Sequence, residues 1–244
     1  MSQLVPRIGN EIIADSMKTI KSKPHSNSEN HSKLKNTIFL DIGAGDGSSS
    51  VLLRKEKTLV ISLDCDKKDL KKGLKKRIIT KGNAMLADAR HLPLKDASFD
   101  LVSSRYFLHC IKAHKKCLKE MRRVIKPKGR VQIIDICAPI VKIRDFLEKC
   151  HFENVSPLSR HSILTKEELI CLLTGLGFHI HSMEWSALKE KETSRKIKKY
   201  VEEEIAKNLF FKKYFKIRRV KQNFYIYIPV VTIVGEKRTT LLQR

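Results

Sequence analysis

The sequence is short of acids, of paired cysteines and of long apolar runs, and each shortage removes a class of function. Its six cysteines (65, 110, 117, 137, 150 and 171) include no C-x-x-C pair, which argues against a structural zinc site or a dithiol redox centre. Scattered through apolar segments, they read as the reduced thiols of a cytoplasmic protein. The longest apolar run, Phe224 to Val234, is interrupted by Pro229 and falls short of the ~18–20 residues a spanning helix requires. Residues 1–11 mix charge and polarity, so no signal peptide and no transmembrane segment are expected. Aspartate and glutamate number 26 against 50 lysines and arginines, a net charge of +24. Such a balance attracts nucleic acid, anionic membrane or acidic substrates. Because the lysines appear in nearly every segment, the expectation is weak nucleic-acid binding through a generally basic surface, not a specific RNA site.

What is present begins with Phe39-Leu40-Asp41-Ile42-Gly43-Ala44-Gly45-Asp46-Gly47. An apolar strand runs into a loop with glycine at alternate positions, and a helix-like segment with Val51, Leu52 and Leu53 follows. Strand, glycine loop and helix form the opening unit of a nucleotide-binding sheet, in which missing side chains let a ligand approach the backbone. The dinucleotide fingerprint requires glycine at its sixth position, where this chain has Ser48. Asp41 at the strand mouth and Asp46 in the loop would both repel a pyrophosphate. A ligand with an ammonium group and a sulfonium centre suits them, and S-adenosyl-L-methionine (SAM) is such a ligand.

Further segments arrive in order. Leu59 to Leu63 reads as a second strand ending at Asp64, nineteen residues after Gly45, the spacing at which an acid takes ribose hydroxyls. Asp88 heads Asp88-Ala89-Arg90-His91-Leu92-Pro93, Phe99 to His109 reads F-D-L-V-S-S-R-Y-F-L-H, and Arg123 to Arg130 reads R-V-I-K-P-K-G-R. These segments resemble the motifs of the class I SAM-dependent methyltransferases, in particular those of ubiquinone and menaquinone biosynthesis. The resemblance implies an α/β, Rossmann-like fold: a seven-stranded, mostly parallel sheet ordered 3-2-1-4-5-7-6, its last strand antiparallel, with helices on both faces. It implies SAM contacts from Asp41, Gly43, Gly45, Gly47, Asp64, Cys65, Asp88, Ala89 and Arg105. It also makes His109, just beyond strand four, the candidate base and Tyr106 a lining residue of the acceptor pocket. The chain reads Leu108-His109-Cys110 where related sequences often carry a second histidine, and no metal site is implied.

The remaining segments divide the chain. Residues 1–35 read as an N-terminal helix and polar linker, a cap; residues 36–237 as the methyltransferase domain; residues 238–244 as a tail. Within the domain, lysines fan over one side of a helix at 67–77, opposite Leu70 and Leu74. Thr165 and Glu168 form a capping box ahead of a leucine-rich helix. Residues 189–221 read as a helical insertion between strands six and seven, with a helix over 189–212 striped by Ile197, Val201, Ile205 and Leu209. Pro229 cannot donate to a ladder, which places the last strand at an edge or breaks it in two. Three functions fit: methyl transfer to a small-molecule acceptor, methyl transfer to tRNA or rRNA, and SAM binding without catalysis. Ser103-Ser104-Arg105-Tyr106 stands where an N-P-P-Y-type motif for amino methylation would be. The sequence carries no signal of oligomeric state.

Overall fold

The computed structural model describes residues 37–54, 58–152, 163–192, 195–207, 216–220 and 223–239. The expected cap over 1–35 lies outside them. Strand β1 (Thr37–Ile42) runs between β2 (Thr58–Asp64) and β4 (Phe99–Arg105), parallel to both. A strand covered on both faces must be apolar nearly throughout, and Thr37-Ile38-Phe39-Leu40-Asp41-Ile42 breaks that pattern inside the sheet only at Asp41. β3 (Ala84–Leu86) extends the sheet beyond β2, and β5 (Ile125–Ile136) lies beside β4, all still parallel. The sheet is closed on that side by β8 (Asn223–Lys237) and then β6 (Phe178–Glu192), each antiparallel to its inner neighbour. The order is β3-β2-β1-β4-β5-β8-β6, with β7 (Lys216–Val220) also pairing β8.

Helices cover both faces. On one, α1 (Ser48–Leu53), α4 (Val141–Phe152) and α6 (Arg195–Lys207) bring Leu53, Phe146, Leu147 and Val201 onto Phe39, Val60 and Ile134. On the other, α3 (His114–Val124) and α5 (Lys166–Gly175) bury Leu118, Met121, Leu169 and Leu173 against Leu40, Ile42 and Val102. Each such side chain stabilises the fold by about 1.5–3 kcal/mol. α2 (Lys67–Lys75) buries Leu70 and leaves its lysines exposed, and α5 begins at Thr165 with both bonds of the capping box formed. Among the described residues no helix is long and apolar enough to cross a membrane.

Three expectations change. The sheet has eight strands, not seven, because Lys216–Val220, within the expected insertion 189–221, folds as β7. Of the helix read over 189–212, residues up to Glu192 remain in β6 and Arg195–Lys207 are helical, while 208–212 lie outside the described residues. Pro229 sits inside an unbroken strand flanked on both sides. Its carbonyl accepts from Cys137 N–H at 3.3 Å, and a strand residue points its nitrogen and carbonyl to the same side. Its missing N–H therefore faces Cys137, the first residue past the end of β5 at Ile136. The one ladder bond that proline forgoes lies where β5 ends.

Candidate functional site

The carboxyl ends of β1, β2 and β4 meet at a cleft of about 350 Å³. Of the residues singled out in the sequence, Gly43, Asp64, Cys65, Asp88 and Ala89 line it. The loop after β1 is pinned to the end of β2: Gly43 N–H and Ala44 N–H both donate to Leu63 O, and Gly45 N–H donates to Asp64 Oδ2 at 2.7 Å. Asp64 Oδ1 accepts from Asp66 N–H at 2.8 Å. The carboxylate thus stands at the cleft wall in a fixed orientation, with further lone pairs left for a ligand.

The loop glycines have different tasks. Gly45 adopts φ +56° and a β-carbon built there would meet nothing within 4 Å, so the backbone leaves a cradle beside Asp64. Gly43 is excluded from carrying a side chain by Phe107, whose ring would lie 2.4 Å from it. Gly47 faces Ile79 and packs the loop instead of opening it. Asp46 turns outward to Lys76 at 2.9 Å and accepts from Ser48 N–H and Oγ–H, bonds that hold its carboxyl below the usual carboxylate range.

Asp41 lies beneath the cleft, 1% exposed. Its Oδ2 accepts from the Ser49 and Ser50 hydroxyls at 2.8 and 2.7 Å, while Oδ1 is buried without a partner. Burial pushes this carboxyl up to about 6, opposed by the two serines and Arg105 and assisted by Asp64. Arg105, at the end of β4, keeps a buried Nη1 that also has no partner, and its guanidinium lies 5.4 Å from the Tyr106 ring centre. An orphaned acceptor and an orphaned donor at the strand ends fit the ammonium and carboxylate of an α-amino acid, the groups at one end of SAM. At the other end, Asp88 is gripped by Arg90 through Nε and Nη2, which holds its carboxyl down at about 2 and therefore ionised. Cys65 beside it is held above the ordinary thiol range, by burial and then by the Asp64 charge, and stays a neutral, weakly polar wall.

His109 does not line this cleft. It lies in a single 3-10 turn (Leu108–Cys110), 7% exposed, with Nδ1 2.5 Å from Asp135 Oδ1. The other Asp135 oxygen accepts from Phe107, Leu108 and His109 N–H, closing the start of the turn. Burial alone would lower the imidazole's proton affinity; the hydrogen bonds to Asp135 and Cys110 and the Asp135 charge outweigh it and hold the ring above the ordinary histidine range. A protonated imidazole has no lone pair with which to accept a proton. Tyr106 takes φ 51°, a left-handed conformation uncommon for a bulky residue, and its N–H donates to Ile134 O at 2.8 Å. The turn of chain from β4 into the cleft wall is thereby fixed to β5. Asp135 escaped the sequence reading; its one signal is an acid inside the apolar run Val131 to Ile136.

Comparison with known proteins agrees with this geometry. Residues 40–133 match the profile of a family described as a methyltransferase domain. A demethylmenaquinone methyltransferase of Corynebacterium glutamicum is 30% identical over 53% of this chain and 54% of its own length. A ubiquinone/menaquinone biosynthesis C-methyltransferase, UbiE, of Desulfotalea psychrophila is 28% identical over 59% of this chain and 60% of its own. The chain thus spans between 54% and 60% of these relatives' lengths. The YcgJ protein of Bacillus subtilis superposes with a TM-score of 0.72 at 18% identity, covering 94% of this chain and 99% of that one, a likeness of fold.

Proposed function

We infer that this chain, a member of the class I SAM-dependent methyltransferases, transfers a methyl group to a small apolar acceptor of the quinol kind. The observation that carries the acceptor class is the apolar layer beyond the ends of β4 and β5. β5 stops at Ile136, opposite Val230, while β8 continues as far as Asn223. On that projection Phe224, Ile226 and Ile228 pack with Phe146 of α4 and Val201 and Tyr200 of α6, and Tyr106 leans against the same cluster. Phe146, Val201, Phe224, Ile226 and Ile228 form the buried base of this layer and half-buried Tyr106 and Tyr200 its open side, an aromatic rim that suits a hydrophobic ring better than a charged chain. The names of the relatives, demethylmenaquinone and ubiquinone/menaquinone methyltransferases, point to the quinone class.

When bound, SAM supplies a methyl carbon already activated by its sulfonium. The work left to the protein is placement, worth up to about 7–11 kcal/mol of barrier in favourable cases. Asp41 and Arg105 receive the amino-acid end, Asp64 the ribose hydroxyls and Asp88 the adenine amino group. Gly45 keeps the loop backbone out of the ligand's volume. His109 acts as a positioning residue: its charge balances buried Asp135, which holds the turn carrying Phe107 and Cys110 into the cleft wall. The reacting methyl must be shielded from water by a part able to move; the segment expected to serve, residues 1–21, lies outside the described residues.

The reading is tested by incubating the full chain with methyl-labelled SAM and a demethylmenaquinol in detergent, with tRNA in a parallel tube. Label in the extracted quinone supports it. Label in the RNA, or in neither, overturns the acceptor class.

A further inference from the structure

The excess of positive charge is not uniform over the folded chain. Arg90, His91, Lys115, Lys116 and Lys119 line a cavity of about 700 Å³ against α3. Lys119 also lines a second cavity, of about 830 Å³, with Arg122, Lys237 and Arg238. Arg90 in turn belongs to the lining of the cofactor cleft. The shared residues join these spaces into one groove, from the Asp88 side of the cleft along α3 to the last residues of β8.

The acids of this groove are already taken. Glu120 and Asp96 both pair with Arg123, at 2.8 and 2.6 Å, and Asp88 with Arg90. Among the described residues no acid lies within ion-pair distance of Lys115, Lys119, Arg122 or Arg238. Lys116 points its ammonium at His91 Nε2, 2.5 Å away, a ring nitrogen and not a carboxylate. Arg122 Nε is buried without a partner. Burial and the neighbouring Arg122 charge pull Lys237 below the ordinary lysine range. Unbalanced charge of one sign, focused in a concavity, raises the local concentration of the opposite sign.

We propose that the α3 groove seats the phosphate backbone of a single-stranded nucleic acid, without regard to its sequence. A concave track suits a flexible polyanion. It carries no Trp, Tyr or Phe on which bases could stack, so affinity there rests on contacts to phosphates, which carry no sequence information. The exposed large apolar side chains (Val51, Leu59, Leu86, Val141, Trp185, Val220) lie elsewhere, so the face has no apolar wedge to insert into a bilayer. The groove passes the Asp88 end of the cleft, away from the apolar layer assigned to the acceptor. It is a docking surface, and it stands whether or not the acceptor is a quinol.

The test uses the full chain and a fluorescein-labelled 20-nucleotide oligouridine, with a mixed-sequence DNA of equal length, in polarisation titrations over a range of salt. Two triple variants are compared: Lys115→Ala/Lys119→Ala/Arg238→Ala in the groove, and Lys67→Ala/Lys68→Ala/Lys71→Ala on α2. All six side chains are exposed, and SAM binding reports that each variant is folded. About five phosphate contacts give a log–log salt slope near −3.5 for a single strand, and each contact contributes roughly fivefold at about 0.1 M salt. The groove variant is expected to lose about 100-fold in affinity and to flatten the slope to about −1.4, with the α2 variant within about twofold of wild type. Equal losses in the two variants overturn the proposal. So do tenfold or greater preference for one oligonucleotide, absence of binding by wild type, and capture by phosphatidylglycerol vesicles alone.

Discussion

Asp41 is the residue at which stability and function oppose each other, and the substitution Asp41→Asn separates them. In the folded chain burial raises this carboxyl from 3.8 to about 6. A raised acid destabilises the native state as it ionises: the two states agree below about pH 3.8, and the penalty grows until the folded group is charged above about pH 6. Each pKa unit is worth about 1.36 kcal/mol, so the penalty at about pH 7 is roughly 3 kcal/mol, nearly all of it acquired above about pH 4. Asparagine keeps an acceptor for Ser49 and Ser50 and does not titrate. Its buried amide adds a cost of about 1–3 kcal/mol that is independent of pH. The observable is therefore the change with pH of the stability difference between wild type and variant, measured by urea unfolding without ligand. Wild type should lose about 2.5 kcal/mol relative to Asp41→Asn between about pH 4 and about pH 7. The same substitution should weaken SAM by about 1.5–3 kcal/mol at neutral pH, and only wild type should lose affinity as pH falls through about 6. A stability difference that stays flat with pH would refute the reasoning, because it would mean that Asp41 is not held as a strained anion.

Other consequences are equally specific. Gly45→Ala meets open space but forces a side chain to φ +56°; it should fold with a loss of about 1 kcal/mol yet bind SAM at least tenfold more weakly by calorimetry. Gly43→Ala, driven against Phe107, should instead lower the melting temperature markedly. His109→Ala leaves Asp135 buried and unpaired, so unfolding free energy should fall by about 3–5 kcal/mol; in His109→Gln the pH dependence of turnover should keep its form, since no proton passes through the ring. Deleting residues 1–21 should reduce turnover far more than SAM affinity, and equal loss of both would place that segment in the cofactor site.

The cofactor side of the site was legible in the sequence because its determinants are local. A loop of glycines, an acid at a strand end and a fixed spacing to the next acid all lie on consecutive elements, and parallel strands bring their carboxyl ends to one edge. Asp64 meeting Gly45 follows from that arrangement. Asp135 was not legible, because its partners Phe107, Leu108 and His109 lie on another strand's exit, and an acid within an apolar run names no partner. The same holds for His109: adjacency to strand four suggested a base, whereas burial and one carboxylate decide its charge. Pro229 misled for a related reason. Proline forbids one hydrogen bond on one side of a strand, and only the register shows that β5 has ended there and β7 has not begun. β7 itself is hidden in a basic stretch whose pattern carries no period-two signal.

The central claim is that the cleft between Asp41, Gly45, Asp64 and Asp88 is a SAM site. Titration calorimetry of the folded chain with SAM, beside Asp64→Ala, addresses it most directly. The account predicts one site per chain for wild type and an affinity lower by about 1.5–3 kcal/mol, roughly 10- to 150-fold, in the variant. A folded wild type that takes up no SAM, or a variant that binds as tightly as wild type, would contradict it.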